Sequence, residues 1–326
     1  MVNDEKSDRL ELPARAIAPP TTVSAEARRF LATPRPPFPP WPALDDVAGW
    51  REAIKRSNEI FAPIHEAHRQ NFAGDLQERR IGNVATYELV PRSIPERNRN
   101  RVLLFLHGGA YVFGGGSLAG TGAIPMASAG GYRTFSPDYR MPPDHPFPAA
   151  LDDAVAVYRA LLETYAPSRI GFVGLSAGGG LAAATILKAR NIGLPLPAAA
   201  VLLTPEADLT EAGDTFATNE DVDIVLKKPL MVLNRLYAAG ADLRDPYLSP
   251  VFGDFSKGFC PTYLQSGTRD LLLSNTVLLH RALRRAGIEA DLNVWEAMPH
   301  AGFFGAPEDE ESTADQVRFL DCHLGA

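Results

Sequence analysis

The sequence predicts an α/β fold class, with a mostly parallel, doubly wound sheet that helices cover on both faces. Two observations indicate this. From about residue 84 onward, β-rich segments alternate with helical segments. The chain of 326 residues is also long enough for one large domain of this kind with an insertion, or for two modest domains. Alternation of this type is typical of parallel strands joined by crossover helices.

The predicted elements follow one another in a regular order along the chain. The strands are VATYELV (84–90), RVLLFLH (101–107), YRTFSPDY (132–139), RIGFVGL (169–175), AAAVLLT (198–204), PTYLQSG (261–267) and ADLNVWEA (290–297). Helical segments are predicted near residues 148–165, 177–191, 274–287 and 309–323.

The amino-terminal part, residues 1–75, is predicted to be a cap segment over the α/β domain of residues 76–326. Its first 45 residues or so are rich in proline and are expected to be extended over a surface or partly mobile. An amphipathic helix follows, with Asp45 or Asp46 as its cap, and Pro63 is expected to break or kink it. The apolar face of this helix comprises Val47, Trp50, Ile54 and Phe61.

One interval departs from the alternation of strands and helices. The segment from Glu206 to Phe259 is too long for a simple crossover, and a helix is predicted around Pro229–Ala239 with the proline in its first turn. Insertions of this size above a sheet commonly form lids. We therefore expect a cap insertion at about 206–250, completed by the amino-terminal helix.

Composition excludes several classes of function. The formal charge is −7, and no run of Lys or Arg forms a basic stripe, so no nucleic-acid partner is expected. The longest uncharged stretch, from Val102 to Tyr132, is rich in glycine and contains His107, so no membrane span is expected. The amino terminus has no apolar signal region, and Cys260 and Cys322 lack metal-ligand spacing. These features predict a cytoplasmic protein with two free thiols.

The stretch GFVGLSAGGG, residues 171–180, contains the candidate nucleophile, Ser176. It has the pattern G-x-S-x-G, with a predicted strand before it and a helix-forming run after it, which is the context of a nucleophile elbow. A dinucleotide-binding loop is the competing interpretation, because Gly114 to Ala119 matches G-x-G-x-x-A and Asp138 ends the next strand. That match begins seven residues after the strand ends at His107, too late for the fingerprint, and no Walker loop is present.

A serine nucleophile needs a base and an orienting acid, in the order Ser, Asp or Glu, His on such a fold. Among the histidines downstream of the serine, His280 and His323 lie within predicted helices, whereas His300 follows a strand. Asp270 follows the preceding strand, and the carboxyl ends of parallel strands are where open α/β sheets place their sites. Glu296 is a possible substitute acid, although it is expected to point along its strand.

Backbone amides are the predicted oxyanion donors. Ala177 follows the serine, and Gly108 and Gly109 lie in the loop HGGAYVFGGG, where glycine lets the backbone turn its N–H groups into the site. Four apolar residues flank these motifs and are candidates for the substrate pocket, with core packing as an equally weighted alternative. They are Tyr111, Phe113, Leu175 and Phe303.

Several motifs together resemble the hormone-sensitive-lipase-like branch of the α/β-hydrolases, which includes many bacterial carboxylesterases. They are HGGAYVFGG, DYRMPPDHPFPAALDD, GLSAGG, the Arg-Asp pair at Asp270 and MPHAGF, in order over residues 84–324. The resemblance implies an eight-stranded sheet with a helical cap, and Ser176, His300 and Asp270 as nucleophile, base and acid. It implies oxyanion donation by Gly108, Gly109 and Ala177, with Ala110 as a further donor, and a homodimer through the strand ADLNVWEA. No cofactor and no metal is expected.

Four departures from the family pattern stand out. Ala110 replaces the usual third glycine, Leu175 replaces the usual aspartate before the serine, and Glu206 replaces the usual tryptophan after proline. Asp270 is followed by LLLSN, where the family usually has proline and a second acidic residue. Its assignment as the acid therefore depends mainly on its position.

The function predicted from these residues is hydrolysis of short- to medium-chain carboxylic esters through an acyl-enzyme. Hydrolysis of a lactone, an amide or an acetylated compound at the same site stays open, because these reactions share their tetrahedral chemistry. A ligand receptor on this fold, like the gibberellin receptors, is a more distant alternative because such receptors lose the histidine that His300 provides here.

Overall fold

The computed structural model describes residue 10, residues 13–33 and residues 40–325. Within these residues one sheet of eight strands has the order β1-β2-β4-β3-β5-β6-β7-β8. β2 is antiparallel to both of its neighbours, and all other neighbouring strands are parallel. The strands are β1 Gly74–Ile81, β2 Val84–Pro91, β3 Val102–Leu106, β4 Arg133–Pro137, β5 Ile170–Leu175, β6 Ala199–Leu203, β7 Thr262–Gly267 and β8 Ala290–Trp295. The predicted fold class is confirmed.

The same part of the chain contains ten α-helices. They are α1 Ala25–Ala32, α2 Val47–Asn71, α3 Ser117–Thr121, α4 Ile124–Gly130, α5 Ala149–Leu162, α6 Ala177–Asn191, α7 Thr215–Thr218, α8 Met231–Ala238, α9 Leu273–Arg285 and α10 Pro307–His323. The helices predicted near residues 148–165, 177–191, 274–287 and 309–323 are α5, α6, α9 and α10, and their ends agree with the prediction within a few residues. No helix among the described residues has the length and apolarity needed to cross a membrane.

The sheet has an apolar core on each face, and β3 shows why. Val102, Leu104 and Leu106 pack with residues of α5, α6 and α9, whereas Leu103 and Phe105 pack with residues of α4 and α10. Successive side chains of a strand point to opposite faces, so a strand covered on both sides must be apolar at every position. All five residues of β3 are buried.

Several predictions about the amino-terminal region are wrong in part. Part of the proline-rich segment forms α1, whose first turn is capped by the hydroxyl of Ser24. In α2, Val47 is exposed and does not belong to the buried face of the helix. Pro63 does not break the helix, because α2 continues to Asn71. Beyond Pro63, His65 Nδ1 lies 2.8 Å from Thr121 Oγ1 of α3, which holds this half of α2 against the domain.

Two further elements differ from the sequence prediction. The sequence does not predict strand β1, because its residues GDLQERRI are mostly exposed and lack the alternation of a half-buried strand. Pro229 precedes α8 instead of lying in its first turn, since Leu230 is the N-cap. Residues 1–9, 11, 12 and 34–39 of the proline-rich segment lie outside the described residues, so its predicted extension is not tested there.

Helix α2 and helix α8 of the insertion pack together above the carboxyl end of β3. Trp50 of α2, Leu233 and Leu236 of α8, and Val112 and Phe113 of the loop after β3 belong to one buried apolar cluster. The indole of Trp50 also donates to the carbonyl of Ala43 at 2.9 Å. Two segments distant in sequence therefore cover the same loop.

Candidate active site

Ser176 lies between the end of β5 and the start of α6, in a strained backbone conformation. Its φ and ψ angles are 56° and −123°, in a region that residues with a Cβ atom rarely occupy. Four backbone hydrogen bonds fix this turn, one of them from Gly180 N to Ser176 O at 3.2 Å. The amide of Ser176 donates to Leu203 O at 2.8 Å, and its carbonyl accepts from Gly179 N at 2.8 Å and Glu206 N at 3.0 Å. The turn thereby places the hydroxyl just beyond the carboxyl end of β5.

Glycine is required beside the serine for steric reasons. A Cβ atom on Gly178 would lie 2.0 Å from Leu106 O, and one on Gly174 would lie 2.2 Å from Gly178 O. Both contacts are shorter than the 3.0 Å that real Cβ atoms keep. The pattern G-x-S-x-G therefore reflects the close approach of α6 to β3 and β5.

The structure brings together the three residues that the sequence analysis selected as nucleophile, base and acid. His300 Nε2 lies 2.9 Å from Ser176 Oγ, and His300 Nδ1 lies 3.0 Å from Asp270 Oδ1. Asp270 is fully buried, and its two oxygens also accept from Leu272 N at 2.9 Å and from Ser266 Oγ at 2.5 Å. The alternative acid, Glu296, is exposed.

The surroundings of His300 favour its protonated form. Burial alone lowers the pKa of the imidazole, but the hydrogen bond and charge of Asp270, with smaller contributions from Asp223 and Glu206, hold the pKa above its ordinary value of 6.5. A base with a raised pKa and an oriented second nitrogen can accept the serine proton.

The loop after β3 lies directly against the serine. A Cβ atom on Gly108 would be 3.2 Å from Ser176 Cβ, so the backbone of this loop passes within contact distance of the elbow. Gly109 has a φ of +122°, and its carbonyl accepts from the amides of Val112 and Phe113. Ala110 follows with a φ of +49°, a left-handed conformation that costs an alanine some strain.

Ala177, the fourth predicted oxyanion donor, is the first residue of α6. The first amides of a helix have no acceptor within the helix, and the helix dipole makes this end positive. The loop of Gly108 to Ala110 and the start of α6 thus both lie beside Ser176. Such an arrangement can stabilise a developing oxyanion.

The four predicted pocket residues have different environments. Tyr111 is buried, donates its hydroxyl to Glu206 O at 3.0 Å and stacks on Tyr237 with 4.2 Å between ring centroids. Phe113 packs in the cluster beneath α2 and α8, and Phe303 packs against α1. Leu175 is partly exposed, beside the serine. Contact of these four with a substrate stays a prediction.

Glu206 is buried beside the elbow without a hydrogen-bond partner for its carboxyl group among the described residues. Burial, with a smaller contribution from the nearby Glu211, raises the pKa of Glu206 to about 8. Burial thus favours the protonated form of this side chain. Its backbone has a structural role, because it bonds both Ser176 and Tyr111.

Asp223, a fully buried carboxylate of the insertion, is not among the residues selected from the sequence. Ligand atoms of Asp223, Asp270 and His300 lie within 4.8 Å of one another, a grouping that could in principle hold a metal ion. Both oxygens of Asp223 instead accept backbone amides, and those of Asp270 accept Ser266 and Leu272. The sequence contained one indication of such a residue. The second acidic residue that usually follows the acid in the family that this chain resembles is absent after Asp270, so another segment could supply it.

A family profile described as the alpha/beta hydrolase fold matches residues 103–304, more than half of the chain. This chain belongs to the α/β-hydrolase family. Among solved structures, this α/β-hydrolase is similar to esterase E25, with a TM-score of 0.89 and 33% identity over 97% of this chain and 99% of that one. It is also similar to an esterase from the bacterial hormone-sensitive lipase family, with a TM-score of 0.78 and 32% identity, covering 93% and 99%. The predicted resemblance to that branch is confirmed.

Two curated relatives also resemble this α/β-hydrolase in sequence. An acetyl-hydrolase of Streptomyces hygroscopicus is 39% identical over 208 residues, which cover 63% of this chain and 69% of that protein. A carboxylesterase of Mycobacterium tuberculosis is 30% identical over 216 residues, covering 63% and 67%.

Proposed function

We propose that this α/β-hydrolase is a serine carboxylesterase that hydrolyses short- to medium-chain esters through a Ser176-His300-Asp270 triad. The observation that carries the proposal is the continuous path from Ser176 Oγ to His300 Nε2 at 2.9 Å and from His300 Nδ1 to Asp270 Oδ1 at 3.0 Å. The names of the relatives support the same class, carboxylic ester hydrolase.

In the first half of the reaction, Ser176 Oγ attacks the acyl carbon while His300 Nε2 accepts the hydroxyl proton. Amides of Gly108, Gly109 and Ala177 hold the oxyanion, with Ala110 as a further donor, and each such donor is worth about 3 kcal/mol in sites of this type. His300 then donates the proton to the departing alcohol oxygen. The carbon–oxygen bond to the alcohol breaks and leaves an acyl-serine.

In the second half, His300 takes a proton from water, and the hydroxide attacks the acyl-serine. Collapse of the second tetrahedral intermediate returns the proton to Ser176 Oγ and releases the carboxylic acid. Asp270 keeps Nδ1 protonated throughout, so that Nε2 faces the serine as the acceptor.

An apolar surface beside the serine supports short- to medium-chain acyl esters as the substrates. The cluster of Trp50, Phe113 and Leu233 covers the loop beside the serine, and the partly exposed Leu175 is apolar. We assign residues 1–75 and the insertion at about 206–250 to a cap that borders the acyl site, above a catalytic domain of residues 76–326. A homodimer through β8 and a cytoplasmic location stay predictions.

The decisive experiment labels the protein with a fluorophosphonate and measures hydrolysis of p-nitrophenyl esters from acetate to decanoate, with a lactone as comparison. Ser176→Ala is expected to abolish both labelling and turnover. Ser256→Ala, which alters an exposed serine before β7, is the matched control and should retain both. Normal turnover in Ser176→Ala would contradict the proposal, and a preference for the lactone would change the substrate class.

A further inference from the structure

The insertion is bound to the loop that carries Asp270 by several hydrogen bonds. The side-chain amide of Asn219 donates to the carbonyls of Asp270 at 2.8 Å and Thr268 at 3.3 Å. Thr215 Oγ1 donates to Leu271 O at 2.8 Å. The insertion therefore fixes the backbone on both sides of the proposed acid.

Asp223 extends this attachment to the histidine. Its Oδ2 accepts from Leu271 N at 2.9 Å and from His300 N at 3.2 Å, so that one oxygen joins the acid loop to the histidine loop. These bonds span 48 and 77 residues of sequence. Its Oδ1 accepts from Val225 N at 2.9 Å and Leu226 N at 3.0 Å, which orients the carboxylate from its own segment.

Four amide donors around a fully buried carboxylate favour its ionised form, and the imidazolium of His300 favours it further. Burial and the charge of Asp270 act in the opposite direction and raise the pKa of Asp223. The charge of Asp223 adds to that of Asp270 in stabilising protonated His300. A second acidic group therefore lies beside the histidine although none follows Asp270 closely in the sequence.

We infer that Asp223 of the insertion is a positioning residue for the reaction, which sets the spacing of Asp270 and His300 through their backbones and places a second negative charge beside the imidazole. This inference rests on the proposed triad. The insertion does more than cover the site, because it supplies one of the groups that assemble the base.

The test removes the charge of Asp223 with little change of volume. Asp223→Asn keeps the shape of the side chain but replaces an acceptor by an NH₂ group opposite amide donors. Asp223→Ser removes the charge without that repulsion, which provides a second variant if the first one does not fold. Asp221→Asn is the matched control, since Asp221 is an exposed carboxylate two residues away that pairs with Lys228.

Both Asp223 variants are expected to lower kcat for p-nitrophenyl acetate by about tenfold to a hundredfold, because a displacement of about 1 Å can cost up to about a hundredfold. KM should change little. The acid limb of kcat/KM should move to lower pH by about one unit, because His300 loses a nearby negative charge and its pKa falls. The other carboxyl groups that act on His300, Asp270 and Glu206, are unchanged in these variants.

Asp221→Asn should match the wild type in both measurements, and Asp223→Glu should return the acid limb towards that of the wild type. A kcat within twofold of wild type and an unmoved acid limb in a folded Asp223→Ser or Asp223→Asn variant would overturn the inference. The outcome is separable from the proposed function, because wild-type turnover and its loss in Ser176→Ala test the triad independently.

Discussion

Replacing Gly178 by alanine should impair catalysis through the backbone alone. The new Cβ atom would lie 2.0 Å from Leu106 O and 2.4 Å from His107 O, whereas real Cβ atoms essentially never come closer than 3.0 Å. Either the start of α6 or the end of β3 must therefore move by about 1 Å. Since α6 follows Ser176 and the oxyanion loop follows His107, this displacement separates the nucleophile from its predicted amide donors Gly108 and Gly109. We expect kcat to fall by about a hundredfold and the free energy of unfolding to fall by about 1–3 kcal/mol.

The assay is steady-state hydrolysis of p-nitrophenyl acetate, with the active fraction counted by fluorophosphonate titration and stability measured by urea unfolding. Gly193→Ala is the matched control near the other end of α6. Gly193 has a φ of +80°, and a methyl group added there would have no heavy atom within 4 Å, so this variant should lose about 1 kcal/mol of stability and keep its kcat. A Gly178→Ala enzyme with kcat within threefold of wild type would refute the steric argument.

Three other outcomes follow from the site and its surroundings. Asp270→Asn should lower kcat by about 10³–10⁴-fold because the imidazole loses its orienting acceptor. Glu296→Gln, at an exposed residue, should keep kcat within twofold of the wild type. A large loss in Glu296→Gln with little loss in Asp270→Asn would instead assign the acid to Glu296. Between pH 4.5 and about 8 the unfolded chain releases the proton of Glu206 while the folded chain keeps it. The stability gained by Glu206→Gln should therefore rise by up to about 1.4 kcal/mol per pH unit in that window, and a constant difference in urea unfolding would contradict the burial argument. Iodoacetamide should modify the exposed Cys322 and spare Cys260, because burial raises the pKa of the Cys260 thiol to about 12. Equal rates of alkylation of the two cysteines, measured by mass spectrometry, would contradict this.

Local patterns determined much of the candidate site. The elbow around Ser176 is encoded by residues adjacent in sequence, because a strand, a tight glycine turn and a helix are all specified by their own residues. His300 and Asp270 could be selected since each follows a strand, and parallel strands end at the same edge of the sheet. The seven predicted strands are all present, as β2 to β8.

Strand β1 and helix α1 could not be predicted in this way. The exposed strand Gly74–Ile81 is stabilised by pairing with β2, and α1 is held by packing of Phe30 and Leu31 against the histidine loop. The continuation of α2 past Pro63 likewise depends on its contact with α3. In each case interactions with distant residues outweigh a weak or contrary local preference.

The sequence by itself determined the fold class, the serine elbow and the candidates for base and acid, because those features depend on short-range periodicity and turn chemistry. Only the tertiary structure decided that Asp270 rather than Glu296 faces His300, and that Asp223 reaches both loops from the insertion. The physical reason is that a buried carboxylate is oriented and stabilised by the amides that donate hydrogen bonds to it. In this chain those amides come from segments up to 77 residues away.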